Sequence, residues 1–252
     1  MLGLIPGLIG AIATLALAAG AVATRALTPT GGAVAAAFGI VIVVFAGFPF
    51  LALMILFVVA SVLATRFRFA EKQALQLQEG THGERGVPNV VAHIVLPTAI
   101  AVAGGWPSPL IPLSSAAVLF TAALAFGAAD TFASEFGVLA GHARSILTFR
   151  DVPAGTNGGV SALGEAWALE GALTTAAVAF GLFRLSGITD FSVPVLLAVG
   201  TTAGFLGCQI DSILGETLEN RGWLTKGSTN FLGMLSAVAI AAGCLFVLGV
   251  PL

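Results

Sequence analysis

The sequence predicts an all-α, polytopic membrane protein with about eight transmembrane helices, at least about six, and no soluble domain. Of its 252 residues, 58% are hydrophobic and only 9% are charged, whereas soluble domains carry about 25% charged residues. Residues 26–65, 86–129 and 231–252 contain no Asp, Glu, Lys or Arg. Because a spanning helix needs roughly 20 apolar residues, these stretches are long enough to cross a bilayer.

Eight apolar segments are expected to form the spans, and glycine or proline marks several of their ends. Gly47 and Pro49 separate the second segment from the third within one uncharged stretch. Pro88, Pro109 and Pro194 stand near predicted helix starts, where the missing N–H does little harm. The predicted spans are roughly residues 3–24, 30–47, 49–65, 88–105, 110–129, 163–183, 192–210 and 230–250. Residues 1–252 are therefore expected to form a single integral membrane domain.

The basic residues are distributed unevenly over the predicted loops. If the chain crosses the membrane eight times, nine of the ten Lys and Arg residues fall on one side and only Arg184 falls on the other. Cytoplasmic loops are enriched in Lys and Arg. We therefore expect loops 66–87, 130–162 and 211–229 to be cytoplasmic and both termini to face the opposite side. The residues on the basic side are Arg25, Arg66, Arg68, Lys72, Arg85, Arg144, Arg150, Arg221 and Lys226.

The first polar segment with chemical potential follows the fifth predicted span and runs from Asp130 to Gly137. On an unbroken helix Asp130 and Ser134 share a face, whereas Glu135 points elsewhere. The two carboxylates reach one ion only if the helix bends or ends here. Acids at membrane depth are costly and usually functional, which favours a site over a polar helix end.

The second segment is rich in glycine and leads into the sixth predicted span. Glycines expose backbone N–H groups, and a helix N-terminus attracts anions. This pattern favours a phosphate site, with a flexible turn as the alternative. It is not a Walker loop, because Glu165 stands where Lys and Ser/Thr are required. The candidate binding residues are Gly155, Thr156, Asn157, Gly158, Gly159 and Ser161, with Gly158 and Gly159 expected to supply N–H groups.

The third segment starts at Asp211 after the seventh span, continues through Ser212 and Gly215, and is followed by Lys226 and Asn230. Acids close to a Lys and an Asn are suited to holding Mg²⁺ together with a phosphate oxygen. An exposed loop of mixed charge is the alternative interpretation.

A further cation, Arg85, precedes the fourth predicted span. Arginine is suited to bidentate phosphate contacts. It serves equally well as a basic anchor beside the membrane.

Together the three segments resemble the integral membrane family that includes plant phytyl phosphate kinase and the TMEM19-like proteins. The family's hallmarks are Asp-x-x-x-Ser-Glu-x-Gly, Gly-Thr-x-Gly-Gly-Val-Ser and Asp-Ser-x-Leu-Gly. They occur here at Asp130–Gly137, Gly155–Ser161 and Asp211–Gly215. Asn230 and Thr30-Gly-Gly-Ala33 also match family positions, and the resemblance covers roughly residues 10–245.

One stretch departs from the family pattern. Gly83-Glu84-Arg85, followed by Asn89 and His93, stands where the family usually has Gly-Lys/Arg-Arg followed by Gln and Asn. Dolichol kinase and CDP-archaeol synthase resemble the family more distantly.

The resemblance implies a Mg²⁺-dependent kinase that converts a prenyl monophosphate and CTP or another NTP into the prenyl diphosphate and NDP. The residues are consistent with this reaction: we expect Asp130, Glu135 and Asp211 to hold Mg²⁺, and the glycine segment, Lys226 and Arg85 to hold phosphates. The implied partners are the prenyl monophosphate lipid, the nucleotide and the lipid bilayer. The composition offers no basic surface for nucleic acid, and a homodimer is left open.

Three other functions compete with this interpretation. A CTP-dependent cytidylyltransferase acting on a lipid phosphate needs the same groups but releases pyrophosphate. A small-anion transporter needs a site near the bilayer midplane, whereas these motifs stand at predicted span ends. A non-catalytic scaffold leaves the three motifs without a role.

Overall fold

A computed structural model describes residues 4–188 and 193–252, and this part of the chain is mostly helical. Seven of its helices are long and apolar enough to cross a bilayer. A further helix is apolar over Gly7–Ala23. The all-α membrane fold is thus confirmed. The described α-helices are α1 Leu4–Ala23, α2 Pro29–Ala46, α3 Phe48–Arg66, α4 Phe69–Ala74, α5 Val87–Gly104, α6 Leu113–Gly137, α7 Ala162–Leu185, α8 Val193–Leu214 and α9 Lys226–Val247.

Most helix ends lie within a few residues of the predicted spans, but three ends near the motifs do not. Helix α6 continues to Gly137, so the polar segment predicted to start a loop at residue 130 is helical. Helix α8 runs through Asp211 to Leu214 and continues as a π-helical turn over Gly215–Glu219. Helix α9 already begins at Lys226. Residues 3 and 192, the predicted starts of two spans, lie outside the described residues.

Local sequence explains where the helices near the motifs begin. The Ser161 side chain accepts a hydrogen bond from the Gly164 N–H and caps α7. Thr225 caps α9, and Ser228 completes a reciprocal capping box. Side-chain oxygens at these positions satisfy backbone donors that the first helical turn leaves unpaired.

Helix α6 is the central helix, and it packs against α3, α5, α7, α8 and α9. Small residues allow its neighbours to approach closely. A Cβ at Gly204 of α8 would lie 2.6 Å from Ala125 Cβ, and one at Gly171 of α7 would lie 2.8 Å from the Ala128 carbonyl oxygen. Close packing of small residues is the usual means of holding helices together in lipid.

A small antiparallel sheet lies between α6 and α7, in a stretch where the sequence predicted only a loop. Its strands are β1 Ala143–Ser145, β2 Asp151–Val152 and β3 Gly159–Val160, and their order is β2-β1-β3. Residues 143–160 thus form a folded segment, the hairpin. Most of the glycine segment, Gly155–Ser161, belongs to it and is not a free loop.

Contacts between segments place all three motifs at one end of the bundle. The Arg66 guanidinium donates to the Thr24 carbonyl, Lys72 pairs with Glu135, and Lys226 pairs with Glu79. Arg184 stands in the last turn of α7, at the other end. Nine of the ten basic residues therefore share the motif end. The Ser115 hydroxyl binds the Pro251 carbonyl at the opposite end.

Candidate active site

A polar cavity of about 340 Å³ opens at the motif end of the bundle. Its walls come from α6, α7, α8 and α9, from the hairpin segment, and from the segment that precedes α5. Of the predicted site residues, all but Arg85 line this one cavity. They are Asp130, Ser134, Glu135, Gly155, Thr156, Asn157, Gly158, Gly159, Ser161, Ser212, Asp211, Gly215, Lys226 and Asn230.

Two aspartates and an asparagine from three different helices form the acidic wall. The Asn230 amide donates to Asp130 Oδ2 over 3.4 Å. Asp211 Oδ1 is buried and has no hydrogen-bond partner among the described residues. A buried polar atom without a partner is costly, so this oxygen is available to a bound cation or a ligand donor. No Lys or Arg forms an ion pair with either aspartate within residues 4–188 and 193–252.

Glu135 lies in a different environment, although it touches the cavity edge. Its Oε2 accepts a hydrogen bond from the Lys72 ammonium at 2.6 Å, and its Oε1 accepts one from the Thr65 hydroxyl at 2.7 Å. The Lys72 side chain is fully buried and also donates to the Ala64 and Thr65 carbonyls. The carboxylate is thus already neutralised, and each of its oxygens accepts a hydrogen bond.

Of the three carboxylates predicted to hold Mg²⁺, Asp130 and Asp211 form no ion pair among the described residues, whereas Glu135 is paired with Lys72. Helix α6 stays unbroken through Gly137, so Glu135 turns away from Asp130. Across the described ranges, no group of three or more His, Cys, Asp or Glu side chains is arranged to hold a metal ion. Two aspartates and an amide still fit Mg²⁺, which usually takes one or two carboxylates and completes its shell with phosphate oxygens and water.

Arg85 lies behind the cavity wall and not in it. Its guanidinium donates to the Thr65 hydroxyl at 3.3 Å and to Asn89 Oδ1 at 3.4 Å, and its buried Nε has no partner in the described part of the chain. Burial lowers the pKa of Arg85, while the fields of Glu135, Glu79 and Asp130 oppose that change. Arg85 is not among the residues that line the cavity, and its predicted contact with phosphate stays a prediction.

One of the two N–H groups that the glycine segment was predicted to offer, that of Gly159, is engaged within the protein. The Gly159 N–H is already bonded to the Thr156 carbonyl at 2.8 Å. Gly158 adopts φ +77°, and a Cβ there would collide with Glu216. Gly158 thus allows the hairpin to pack closely on the end of α8, whereas a Cβ at Gly159 would lie 2.9 Å from the Thr156 carbonyl oxygen of its own segment.

Two glutamates of the π-helical turn fasten the hairpin over the cavity. Glu216 accepts hydrogen bonds from the Ser145 hydroxyl at 2.6 Å and the Leu147 N–H at 3.4 Å. Glu219 accepts one from the Asn157 amide at 3.1 Å. π-Helical turns often occur at functional sites, and here the turn directs both side chains towards the hairpin.

Sequence reasoning missed the cavity wall that Leu77, Gln78 and Glu79 provide. Lys226 donates to Glu79 Oε2 over 2.7 Å. Burial raises the pKa of Glu79, but the charge and the hydrogen bond of Lys226 lower it. The net result is a pKa below the ordinary value. No motif marks these residues, and 147 positions separate the pair, so no local signal could have revealed it.

Glu165 also lines the cavity, from the first turn of α7, and accepts a hydrogen bond from the Gln209 amide at 2.9 Å. Cys208 stands beside it in the same wall. Glu170 is exposed on α7 and is bonded to the Thr174 hydroxyl at 2.8 Å, so it lies outside the cavity.

The fold and this cavity define a polytopic integral membrane protein with a polar site at one end of its helical bundle. The chain belongs to the family described as integral membrane protein DUF92, which matches residues 12–246. The family predicted from the three motifs is thereby confirmed.

Its relatives include membrane proteins of an archaeon, a cyanobacterium and a plant. The uncharacterized membrane protein MJ0933 of Methanocaldococcus jannaschii is 28% identical over 84% of this chain and 83% of its own length. The uncharacterized membrane protein sll0875 of Synechocystis is 32% identical over 87% and 83%. Protein PGR of Arabidopsis thaliana is 31% identical over 71% and 67%. No solved structure matches the chain.

Proposed function

We propose that the chain is an isoprenyl (phytyl-type) phosphate kinase. It transfers a phosphoryl group from CTP or another NTP to a prenyl monophosphate and yields the prenyl diphosphate and NDP. The observation that carries the proposal is the meeting of all three motif segments and Lys226 on one cavity of about 340 Å³. That volume lies in the range of small-molecule sites.

The charge of the cavity supports a nucleotide that arrives with a divalent cation. Six carboxylates but only one Lys or Arg line it within the described residues. Glu135 is neutralised by Lys72 and Glu79 by Lys226, which leaves Asp130, Glu165, Asp211 and Glu219 without an ion-pair partner there. A bare triphosphate would be repelled by four carboxylates, whereas its Mg²⁺ complex would be attracted.

The residues divide the work of phosphoryl transfer, which is mostly positioning and charge neutralisation. Asp130 and Asp211, steadied by Asn230, would hold Mg²⁺, which supplies positive charge to the transferring phosphoryl group. Lys226 binds phosphate oxygens at the N-terminus of α9, where the helix dipole also favours an anion.

The acceptor needs no strong general base, because a prenyl monophosphate is already ionised near neutral pH. One of its oxygens bonds to the terminal phosphorus of the nucleotide. The bond from that phosphorus to the bridging oxygen breaks, and NDP leaves with the electron pair. The prenyl tail lies in the bilayer beside the spans, with its phosphate in the cavity.

The distribution of basic residues supports a cytoplasmic cavity. Nine of the ten Lys and Arg residues lie at the cavity end of the bundle, as a cytoplasmic face requires. Nucleotides and Mg²⁺ are abundant on that side. Both the first and the last described helix then have their outer ends on the opposite side, and residues 1–252 act as one membrane domain.

The test is product analysis with the purified full chain in nanodiscs. The protein is incubated with Mg²⁺, a panel of prenyl monophosphates, and CTP or ATP labelled at either the α- or the γ-phosphate. A kinase moves the γ label to the lipid and releases NDP. Transfer of the α label with release of pyrophosphate would replace the proposal with a cytidylyltransferase, and no labelled lipid from folded protein would contradict both.

A further inference from the structure

The segment Leu77–Glu79 forms a cavity wall to which no motif assigns a role. Leu77 packs on the glycine segment, since a Cβ at Gly155 would lie 2.5 Å from Leu77 Cδ2. Gln78 Oε1 is buried and has no hydrogen-bond partner among the described residues. Buried acceptors of this kind are normally satisfied by a ligand or by water. Gln78 therefore has an acceptor available to a ligand or a water molecule at this wall.

Glu79, the last residue of this wall, holds Lys226. Their 2.7 Å ion pair engages the one Lys or Arg that lines the cavity within the described ranges. The pair lies at the cavity mouth, because the Lys226 side chain is 64% exposed and that of Glu79 is 29% exposed. An anion entering the cavity meets this lysine only in competition with Glu79.

We propose that Glu79 is an affinity-determining residue that occupies the phosphate position on Lys226 until the phosphate of the ligand displaces it. The inference rests on the proposed function, in which Lys226 binds a substrate phosphate. Lysine is a compact point charge on a flexible stem, so it can exchange one anion for another without moving the backbone. A phosphate carries more charge than a carboxylate and forms the stronger pair.

The exposure of Glu79 allows its release once phosphate is bound. Its side chain is 29% exposed, so the freed carboxylate can reach water, while the phosphate in the cavity repels it. Until then, Glu79 shields the positive charge of Lys226 from the ligand. Glu79 thereby lowers the affinity for phosphate and prevents the lysine from holding phosphate-bearing product too tightly.

The experiment measures binding of inorganic pyrophosphate at fixed Mg²⁺ by calorimetry, on the full chain in detergent. Glu79→Gln keeps the shape of the side chain but removes its charge. We expect about three- to tenfold tighter binding than in the unaltered protein. The matched control is Glu84→Gln in the same segment. That carboxylate accepts the His82 N–H at 2.6 Å and does not line the cavity, so affinity should not change.

Lys226→Gln separates displacement from general repulsion. If Glu79 competes for this lysine, Glu79→Gln gains much less affinity in a Lys226→Gln background. An equal gain in both backgrounds, or weaker or unchanged binding by Glu79→Gln alone, would overturn the inference. Tighter binding without any kinase product would uphold the inference and contradict the kinase. Weaker pyrophosphate binding by Glu79→Gln, with kinase product still formed by the unaltered protein, would overturn the inference and uphold the kinase.

Discussion

Asp130 and Glu135 stand five positions apart on α6, and the structure surrounds them very differently. Asp130 faces the cavity, and an asparagine amide is its hydrogen-bonding neighbour at 3.4 Å. Glu135 faces α3 and α4, where Lys72 and Thr65 bond both of its oxygens. One acid is available for chemistry, whereas the other is part of a buried ion pair.

The comparison shows that acids of one motif have separate tasks. Glu135 joins α6 to Lys72 of α4 and, through Thr65, to Arg85 behind the cavity. It fixes the back of the site and holds a cation near it. Asp130 and Asp211 of α8 line the cavity, and in the proposed function they form the front of the site, which meets the ligand.

The largest effect is expected from neutralising the front of the site. Asp211→Asn and Asp130→Asn should each lower turnover by about 10²–10³-fold, the usual loss when a group that stabilises the transition-state charge is removed. Release of NDP with a prenyl phosphate acceptor measures the effect. Asp151→Asn is the control, because this carboxylate is 82% exposed and pairs with Arg144 outside the cavity. An active Asp211→Asn variant would place the chemistry elsewhere.

At the back of the site, the expected change is in stability. Lys72→Met leaves the buried Glu135 carboxylate without its cation, and loss of one partner of a buried pair costs about 3–5 kcal/mol. Thermal denaturation in detergent should show a large drop in Tm. The double variant Lys72→Met/Glu135→Gln should recover most of it, because no unpaired charge remains. A double variant as unstable as the single one would mean that the ion pair is not the source of the loss.

The glycine segment offers a matched pair of substitutions. Gly158 and Gly141 have similar left-handed φ values, +77° and +74°, but only at Gly158 does a Cβ meet other atoms. Gly158→Ala should therefore raise the KM for nucleotide several-fold more than Gly141→Ala, because the hairpin must move off Glu216. Steady-state kinetics of both variants separates close packing from backbone strain. Equal effects would mean that strain alone matters.

The smallest effect concerns the Glu79–Lys226 pair and pH. The pKa of Glu79 is lower in the folded protein than its ordinary value of 4.5. The pair therefore stabilises the folded protein at pH values above that ordinary pKa. This stabilisation is lost as the pH falls through the lowered pKa. Glu79→Gln should lower Tm slightly at neutral pH, since exposed pairs contribute little. The difference should disappear in acid, and a difference that grows on acidification would contradict the assignment.

Much of the site could be predicted because its parts are local. Apolar length predicted the spans, and helical periodicity predicted that Asp130 and Ser134 share a face that Glu135 does not. The pairing of Lys72 with Glu135 could not be predicted, since 63 positions separate the two residues. The contact of Ser145 in the small sheet with Glu216 in the π-helical turn likewise joins residues 71 positions apart, which no local pattern records.

Binding of Mn²⁺ followed by electron paramagnetic resonance tests the division between the two acids most directly. It compares the unaltered chain, Asp130→Asn, and Lys72→Met/Glu135→Gln, each with a nucleotide present. We predict that Asp130→Asn loses most Mn²⁺ binding, whereas the double variant binds Mn²⁺ nearly as well as the unaltered chain. Loss of binding in the folded double variant, with binding retained in Asp130→Asn, would make Glu135 the metal-binding acid and contradict the account.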